Sequence, residues 1–422
     1  MNAPAPKTGF STANPHALAT ILEASQTKSI IASRDIFDIS GTKLWARDMP
    51  VSSALQRKLL DRRLRHPLES CLLAEDGVTS VSLVKATEQM LARDSALSAV
   101  LRPHAARLMQ EAGHLPLHPV AQLLLTAGQA SRPESFEHAL QAMALNGALM
   151  IAHGGGIAEL RVAMVCGLLH DLGEMYIDPH YGEADADRAL DFQSYQHLVV
   201  HPHVGSLLIS QLTNYPATVA RAIAEHHERL DGSGYPHGLR SEQVSPQGRL
   251  LAVTEAALGV MRNGHPQLAR ASVALRVVPG EFDLSWVGRI SSAARVQPAL
   301  QARLTAEAIQ HRISTLDAAL QAAQDRVSEL AESATAPTLV DALGLAQHLL
   351  RRLRTGWYAS GLWAQGTVSA QDAAEVEAVE DELLFRLRTI QRATLLRAGE
   401  LGPDDAQRLQ TLCDGLVASA TD

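Results

Sequence analysis

Ten of the 18 histidines in this 422-residue chain lie between His138 and His237, and the stretch that carries them reads as nearly all helix. A random scatter would not cluster them so, whereas a metal site would. The rest of the composition is that of an ordinary globular protein, 46% hydrophobic and 19% charged. The length suggests two or three domains. No apolar run approaches the roughly 18 residues of a membrane span, and Met1 to Lys7 lacks the apolar stretch of a secretion signal. Cys71, Cys166 and Cys413 lie far apart with no CxxC, which predicts a reducing, cytoplasmic setting rather than a disulfide framework. A net charge of -8 and 4% aromatic residues argue against a protein that coats DNA or RNA. The basic clusters at Arg57-Lys58, Arg62-Arg63 and Arg351-Arg352 with Arg354 read as solvated helix faces.

The expected architecture is mostly α. Residues 1–26, rich in Ala, Pro, Thr and Ser, predict a flexible tail. Residues 27–130 predict a regulatory region of a small β-hairpin plus helices. Apolar residues at Ile30-Ile31, Ile36 to Ile39 and Leu44-Trp45 flank a Ser40-Gly41 turn. Leu55, Leu59, Leu60 and Leu64 then share one helix face, with Pro67 ending that helix. More helices fill 80–130, broken between Gly113 and Pro119. The histidine-rich region, 131–292, forms one helical domain. In the last region, 293–422, Ile309, Ile313, Leu316, Leu320, Ala323, Val327 and Leu330 form a heptad seam. Val376, Val379, Leu383, Leu387 and Ile390 form a second apolar face. Pro337 and Pro403 stand where new helices would start. The reading is a C-terminal helical bundle within the chain, or alternatively a dimerisation arm that makes a homodimer.

Two motifs carry chemistry. In Leu168-Leu169-His170-Asp171-Leu172-Gly173, an apolar helix delivers His and Asp side by side and Gly173 then stops it. Neighbours on a helix point about 100° apart, so the pair suits two ions with the carboxylate between them, or else a buried His bonded to its neighbour. The second motif runs from His226-His227-Glu228-Arg229 through Asp231-Gly232-Ser233-Gly234-Tyr235-Pro236 to Leu239. Adjacent histidines close a helix and a stiff Gly/Pro turn follows.

HD followed by HHExxDGxGYPxGL resembles the HD-GYP subgroup of the HD-superfamily metal-dependent phosphohydrolases, over roughly residues 131–265. The resemblance implies further ligands: His138, 32 residues before His170; Glu134, one helical turn earlier; His201 in His201-Pro202-x-x-Gly205; and Glu255, 28 residues after His227. The implied metal set is Glu134, His138, His170, Asp171, His201, His226, His227 and Glu255, with His170 and Asp171 at the catalytic centre. Glu174, Arg229, Asp231, Gly232, Gly234, Tyr235 and Pro236 would face substrate. Imidazoles with carboxylates bind borderline or hard divalent ions, and two such ions can activate water beside a phosphodiester. The resemblance implies two or three ions, iron or manganese, and hydrolysis of cyclic di-GMP to its linear dinucleotide and then GMP in bacterial signalling. His153, His180, His197 and His237 have no family role and read as exposed.

The chain departs from the family at two positions, and its stretch Arg262-Asn263-Gly264-His265-Pro266 lacks the family's usual Arg-Pro-Tyr-Arg-like ending. Glu174 stands where the family has a Lys that neutralises substrate phosphate, and Glu255 stands where it has Asp. Three readings follow. One is an active phosphodiesterase with another cation (Arg161, Arg188 or Arg229) replacing the lost charge. Another is a catalytically impaired domain that binds metal or nucleotide and signals through protein partners. The third is a hydrolase of another phosphoester.

Overall fold

The computed structural model describes residues 10–181, 192–262, 267–297, 300, 302–361, 373–397 and 401–421. Over these the chain is mostly α, with two small antiparallel sheets. It divides into two units, Met1–His226 with Ser245–Thr254, and His227–Val244 with Glu255–Asp422. The stretch 131–292 contributes to both.

In the first unit, α1 (Pro15–Ala24) forms inside the stretch expected to be a tail. The correction has a local cause. Asn14 caps the helix by accepting from the main-chain N–H groups of His16 and Ala17, Pro15 pre-sets its first turn, and Ala17, Leu18 and Ile21 are buried. Strand β1 (Ile30–Ala32) is not part of the expected hairpin. The hairpin is β2 (Ile36–Phe37) with β3 (Lys43–Trp45), turning at Ser40-Gly41, where Gly41 takes φ +89°. Helix α2 (Ser53–Leu59) also ends before Pro67. Asp61 at φ +56° breaks it, Leu60 is left 64% exposed, and Leu64 turns back to bridge Asp38. Strand β4 (Leu72–Ala74) is the partner of β1.

The helices expected across 80–130 are α3 (Ser80–Ala92), α4 (Ala96–Leu101), α5 (Ala105–Ala112) and α6 (Pro119–Ser131). Helices α7 (Pro133–His153) and α8 (Ile157–Leu169) follow, joined by the Gly154-Gly155-Gly156 loop. They pack closely because Gly167 has no side chain: a Cβ there would lie 2.5 Å from the Ala142 carbonyl oxygen. Then come α9 (Phe192–Leu198), α10 (His201–Leu212), α11 (Ala217–Glu225) and α12 (Pro246–Arg262), the last shared between the units.

The second unit holds α13 (Leu268–Ala274), α14 (Leu284–Ala294), α15 (Ala306–Ser333), α16 (Pro337–Ser360), α17 (Ala373–Leu395) and α18 (Pro403–Thr421). The last four form a bundle. Of the heptad seam, Ile309 through Val327 are buried inside it and Leu330 lies at its edge. The second apolar face, Val376 to Ile390, is buried as well.

The bundle also buries charge. Glu380 of α17 pairs with Arg312 of α15 (Oε1–Nε 2.7 Å). Burial nevertheless pushes its carboxyl up to about 7, and the nearby Asp381 and Glu377 add to the shift. A carboxyl raised on folding contributes stability that is complete below the unfolded value near 4.5 and is lost as pH rises through about 7. Glu380→Gln is therefore expected to flatten the stability–pH curve between those values. Urea unfolding at a series of pH values checks this, and parallel curves for the two proteins would refute it.

Candidate metal centre

Five predicted ligands converge in the first unit, each delivered by a helix or a helix end. His138 lies in the second turn of α7, His170 and Asp171 follow α8, His201 opens α10 and His226 closes α11. Asp171 stands at the centre. Its Oδ2 is 3.0 Å from His170 Nε2 and 3.6 Å from His138 Nε2; its Oδ1 is 3.4 Å from His226 Nε2 and 3.6 Å from His201 Nε2. The expected stop at Gly173 is corrected. The helix tightens at His170 into a 3-10 segment that runs through Tyr176, and this tightening turns His170 and Asp171 toward one another. Gly173 instead permits close approach, because a Cβ there would lie 2.0 Å from the His201 carbonyl oxygen.

The imidazoles are oriented by their own helices. The Nδ1–H groups of His170, His201 and His226 donate to the carbonyls of Gly167 (2.8 Å), Leu198 (2.7 Å) and Ile223 (2.6 Å). A carbonyl only accepts, so Nδ1 carries the proton and Nε2 presents a lone pair to the centre. His170 Nε2 then faces His138 Nε2 at 3.2 Å, and His201 Nε2 faces His226 Nε2 at 3.1 Å. The His201 and His226 lone pairs, this close, repel unless a cation lies between or beside them. Asp171 Oδ1 is buried and accepts no hydrogen bond among the described residues. Burial alone would raise the Asp171 carboxyl, but positive charge on His170, with His226 and His138 beside it, lowers it well below the usual carboxylate range when those rings carry a second proton, which a bound cation would replace. Borderline nitrogen donors around a shared, unsatisfied carboxylate fit divalent metal ions.

The segment after the pair is anchored below the site. Tyr176 Oη donates to the buried Glu69 (2.6 Å), and Asn14 Nδ2 donates to the Tyr176 carbonyl (3.0 Å). Glu134 is exposed and, with Glu174, Arg132, His16, Thr20 and Glu23, lines a cavity of about 510 Å³. Glu174 is buried, and its main-chain oxygen accepts from Arg132 Nη1 (3.2 Å).

The second unit holds His227, Glu255 and the Gly/Pro loop. Glu255 is buried and pairs with Arg262 (3.6 Å). Asn263 to Pro266 lie outside the described residues. Tyr235 stacks on His227 (ring centroids 4.5 Å, 18° between planes), and its N–H donates to the His227 carbonyl. Gly232 takes φ +87°, and at Gly234 a Cβ would lie 2.4 Å from the His227 carbonyl oxygen and the Arg229 nitrogen. The Asp231 carboxylate accepts from Ser233 N–H (3.0 Å) and Oγ (2.7 Å). The carboxylate of Glu228, which the sequence left without a role, accepts from the main-chain N–H groups of His237 and Leu239 and so clamps the loop. Pro236 follows a cis peptide bond. His153, His180, His197 and His237 are exposed, as their lack of a family role implied.

The HD domain family matches residues 157–276. A cyclic di-GMP phosphodiesterase, PA4108 of Pseudomonas aeruginosa, is 31% identical over 209 residues, covering 49% of this chain and 48% of that protein. The 3'3'-cGAMP-specific phosphodiesterase 1 of Vibrio cholerae is 25% identical over 147 residues, covering 35% of this chain and 33% of the relative. RpfG of Xanthomonas campestris, a cyclic di-GMP phosphodiesterase response regulator, is 34% identical over 102 residues, covering 23% and 25%. The chain thus spans about half, or less, of the length of the relatives it matches. Among solved structures, Bd1817, an HDG"Y"P protein from Bdellovibrio bacteriovorus, aligns with a TM-score of 0.36 at 15% identity, covering 64% of this chain and 97% of that one. No described helix is long and apolar enough to cross a membrane.

Proposed function

An HD domain occupies residues 157–276 of this chain, and from it we propose a metal-dependent phosphodiesterase that hydrolyses cyclic di-GMP to the linear dinucleotide and GMP. The observation that carries the reading is the Asp171 carboxylate set among four imidazole Nε2 atoms at 3.0 to 3.6 Å. The relatives' activities on cyclic di-GMP and cGAMP support the substrate class.

His138 and His170 would hold one divalent ion through their Nε2 atoms, His201 and His226 a second, and Asp171 would serve both through its two oxygens. Glu134, His227 and Glu255 enter the proposed set from the sequence resemblance. Iron or manganese suits this mixture of imidazole and carboxylate. Bound ions supply Lewis acidity to a phosphoryl oxygen and a lowered pKa to water. The chain's residues fix where that happens: three Nδ1–H bonds to main-chain carbonyls hold the rings, and the closely packed 3-10 segment keeps Asp171 between them. Arg229, Asp231, Gly232, Gly234, Tyr235 and Pro236 would shape the substrate pocket of a cytoplasmic enzyme. Residues 27–130 and 293–422 would carry regulation or assembly with protein partners.

The test is direct. Full-length protein reconstituted with Mn²⁺ or Fe²⁺ under reducing conditions is expected to retain at least about one ion per chain and to convert cyclic di-GMP to linear products separable by chromatography. Retention below that level overturns the metal centre. Full metal with intact cyclic di-GMP overturns the activity.

A further inference from the structure

The lost lysine of the motif has a replacement in space. Arg132, between α6 and α7, lines the 510 Å³ cavity together with Glu134 and Glu174. It also lines a narrow cavity of about 40 Å³ that reaches Asp171, and Glu174 borders both. Its Nη1 donates to the Glu174 main-chain oxygen (3.2 Å) and its Nη2 to Thr20 Oγ1 (3.4 Å). Of the arginines singled out from sequence, two lie among the described residues. Arg161 is held by Glu111 at 2.6 Å, Arg229 belongs to the second unit beside Glu281 and over the Phe282 ring, and Arg188 lies outside the described residues. Nothing in the sequence flagged Arg132, because it sits 42 positions from Glu174 and in no motif.

We propose that Arg132 binds the phosphodiester of the substrate, with Glu174 as the counter-charge that attenuates it. This rests on the phosphodiesterase reading above. A guanidinium fork matches two phosphate oxygens, and half-burial weakens its screening by water and salt. Burial also lowers the Arg132 pKa, with Glu174, Glu23 and Asp178 acting against that shift, and an arginine stays charged at neutral pH regardless. Among the described residues lining the two cavities, Arg132 is the sole fixed cation, facing Glu23, Glu134 and Glu174. The carboxylate at position 174 thus acts through a neighbouring cation instead of repelling substrate directly. The excess of carboxylates also makes anion binding conditional on metal loading.

Two probes without a nucleobase test this in the Mn²⁺-loaded full chain: inorganic phosphate, followed by calorimetry, and bis(4-nitrophenyl) phosphate, followed by turnover. Arg132→Ala is expected to weaken phosphate and raise the diester KM by about tenfold or more, with kcat changed less than about threefold and metal content unchanged. Arg132→Lys should restore part of the loss. Glu174→Gln should tighten phosphate about threefold with Arg132 present and have no effect in the Arg132→Ala background. Phosphate affinity within about twofold of wild type in metal-loaded Arg132→Ala would overturn the assignment, as would a Glu174→Gln effect that survives loss of Arg132. Should Arg132→Ala fail to fold, unchanged phosphate affinity in both Arg132→Lys and Glu174→Gln overturns it. If cyclic di-GMP stays intact while these shifts appear, the substrate reading fails and the role of Arg132 stands.

Discussion

Asp171→Asn is expected to remove nearly all bound metal and to lower kcat by about a thousandfold or more, while the protein stays folded. The carboxylate has one oxygen between His138 and His170 and the other between His201 and His226. An asparagine keeps only one of these oxygens and sets an N–H₂ donor against the other pair of Nε2 lone pairs, where a cation belongs. It also deletes the one negative charge at the centre of the four imidazoles. The fold should tolerate this, because a neutral isostere is cheaper to bury than an anion and the amide can donate to an imidazole nitrogen. Metal analysis, turnover of bis(4-nitrophenyl) phosphate and thermal melts with and without chelator make the check. Wild type should lose stability on chelation, by about 2.7 kcal/mol for each ion that had been at a hundredfold its dissociation constant; Asp171→Asn should show no such difference. A variant that retains its metal and a tenth of the activity, roughly 1.4 kcal/mol of barrier, would remove Asp171 from the centre.

Gly173→Ala should destabilise the first unit by about 3 kcal/mol or more and empty the metal centre, although it adds a single methyl group. The methyl would lie 2.0 Å from the His201 carbonyl oxygen and 2.7 Å from the Gly205 nitrogen. Both are main-chain atoms and cannot swing aside as a flexible side chain would. The 3-10 segment and α10 must therefore separate, and the 3.6 Å between Asp171 and His201 opens. The same exchange at Gly344, inside α16 with nothing within 4 Å of the added Cβ, should stabilise by about 0.5 to 1 kcal/mol through helix propensity. Chemical denaturation of both variants reads the contrast. A Gly173→Ala protein as stable and as metal-rich as wild type would show that this close approach is not required.

Much of the site was legible because its parts are local. A ligand at a helix end needs only its own helix and the residues that terminate it, so the HD pair, His201-Pro202 and the His226-His227 doublet read directly from short motifs. The bundle was legible for a related reason: a heptad seam records its period in the chain, and Ile309 through Val327 are buried as that period implies. Capping and turn details were harder. Asn14 makes a helix of residues expected to be a tail, and Asp61 ends α2 well before Pro67. Both effects come from single residues that leave no periodic signal.

Residue order alone specified the chemistry, namely which nitrogens and oxygens are available and on which helices they ride. It could not specify which imidazoles share which oxygen of Asp171, why position 173 has to lack a side chain, or that the cation beside Glu174 comes from Arg132. Those are meetings between residues 28 to 55 positions apart. Only the packing of α7, α8, α10 and α11 around one buried carboxylate brings them within a few ångströms, because distance along the chain places no limit on proximity in the fold.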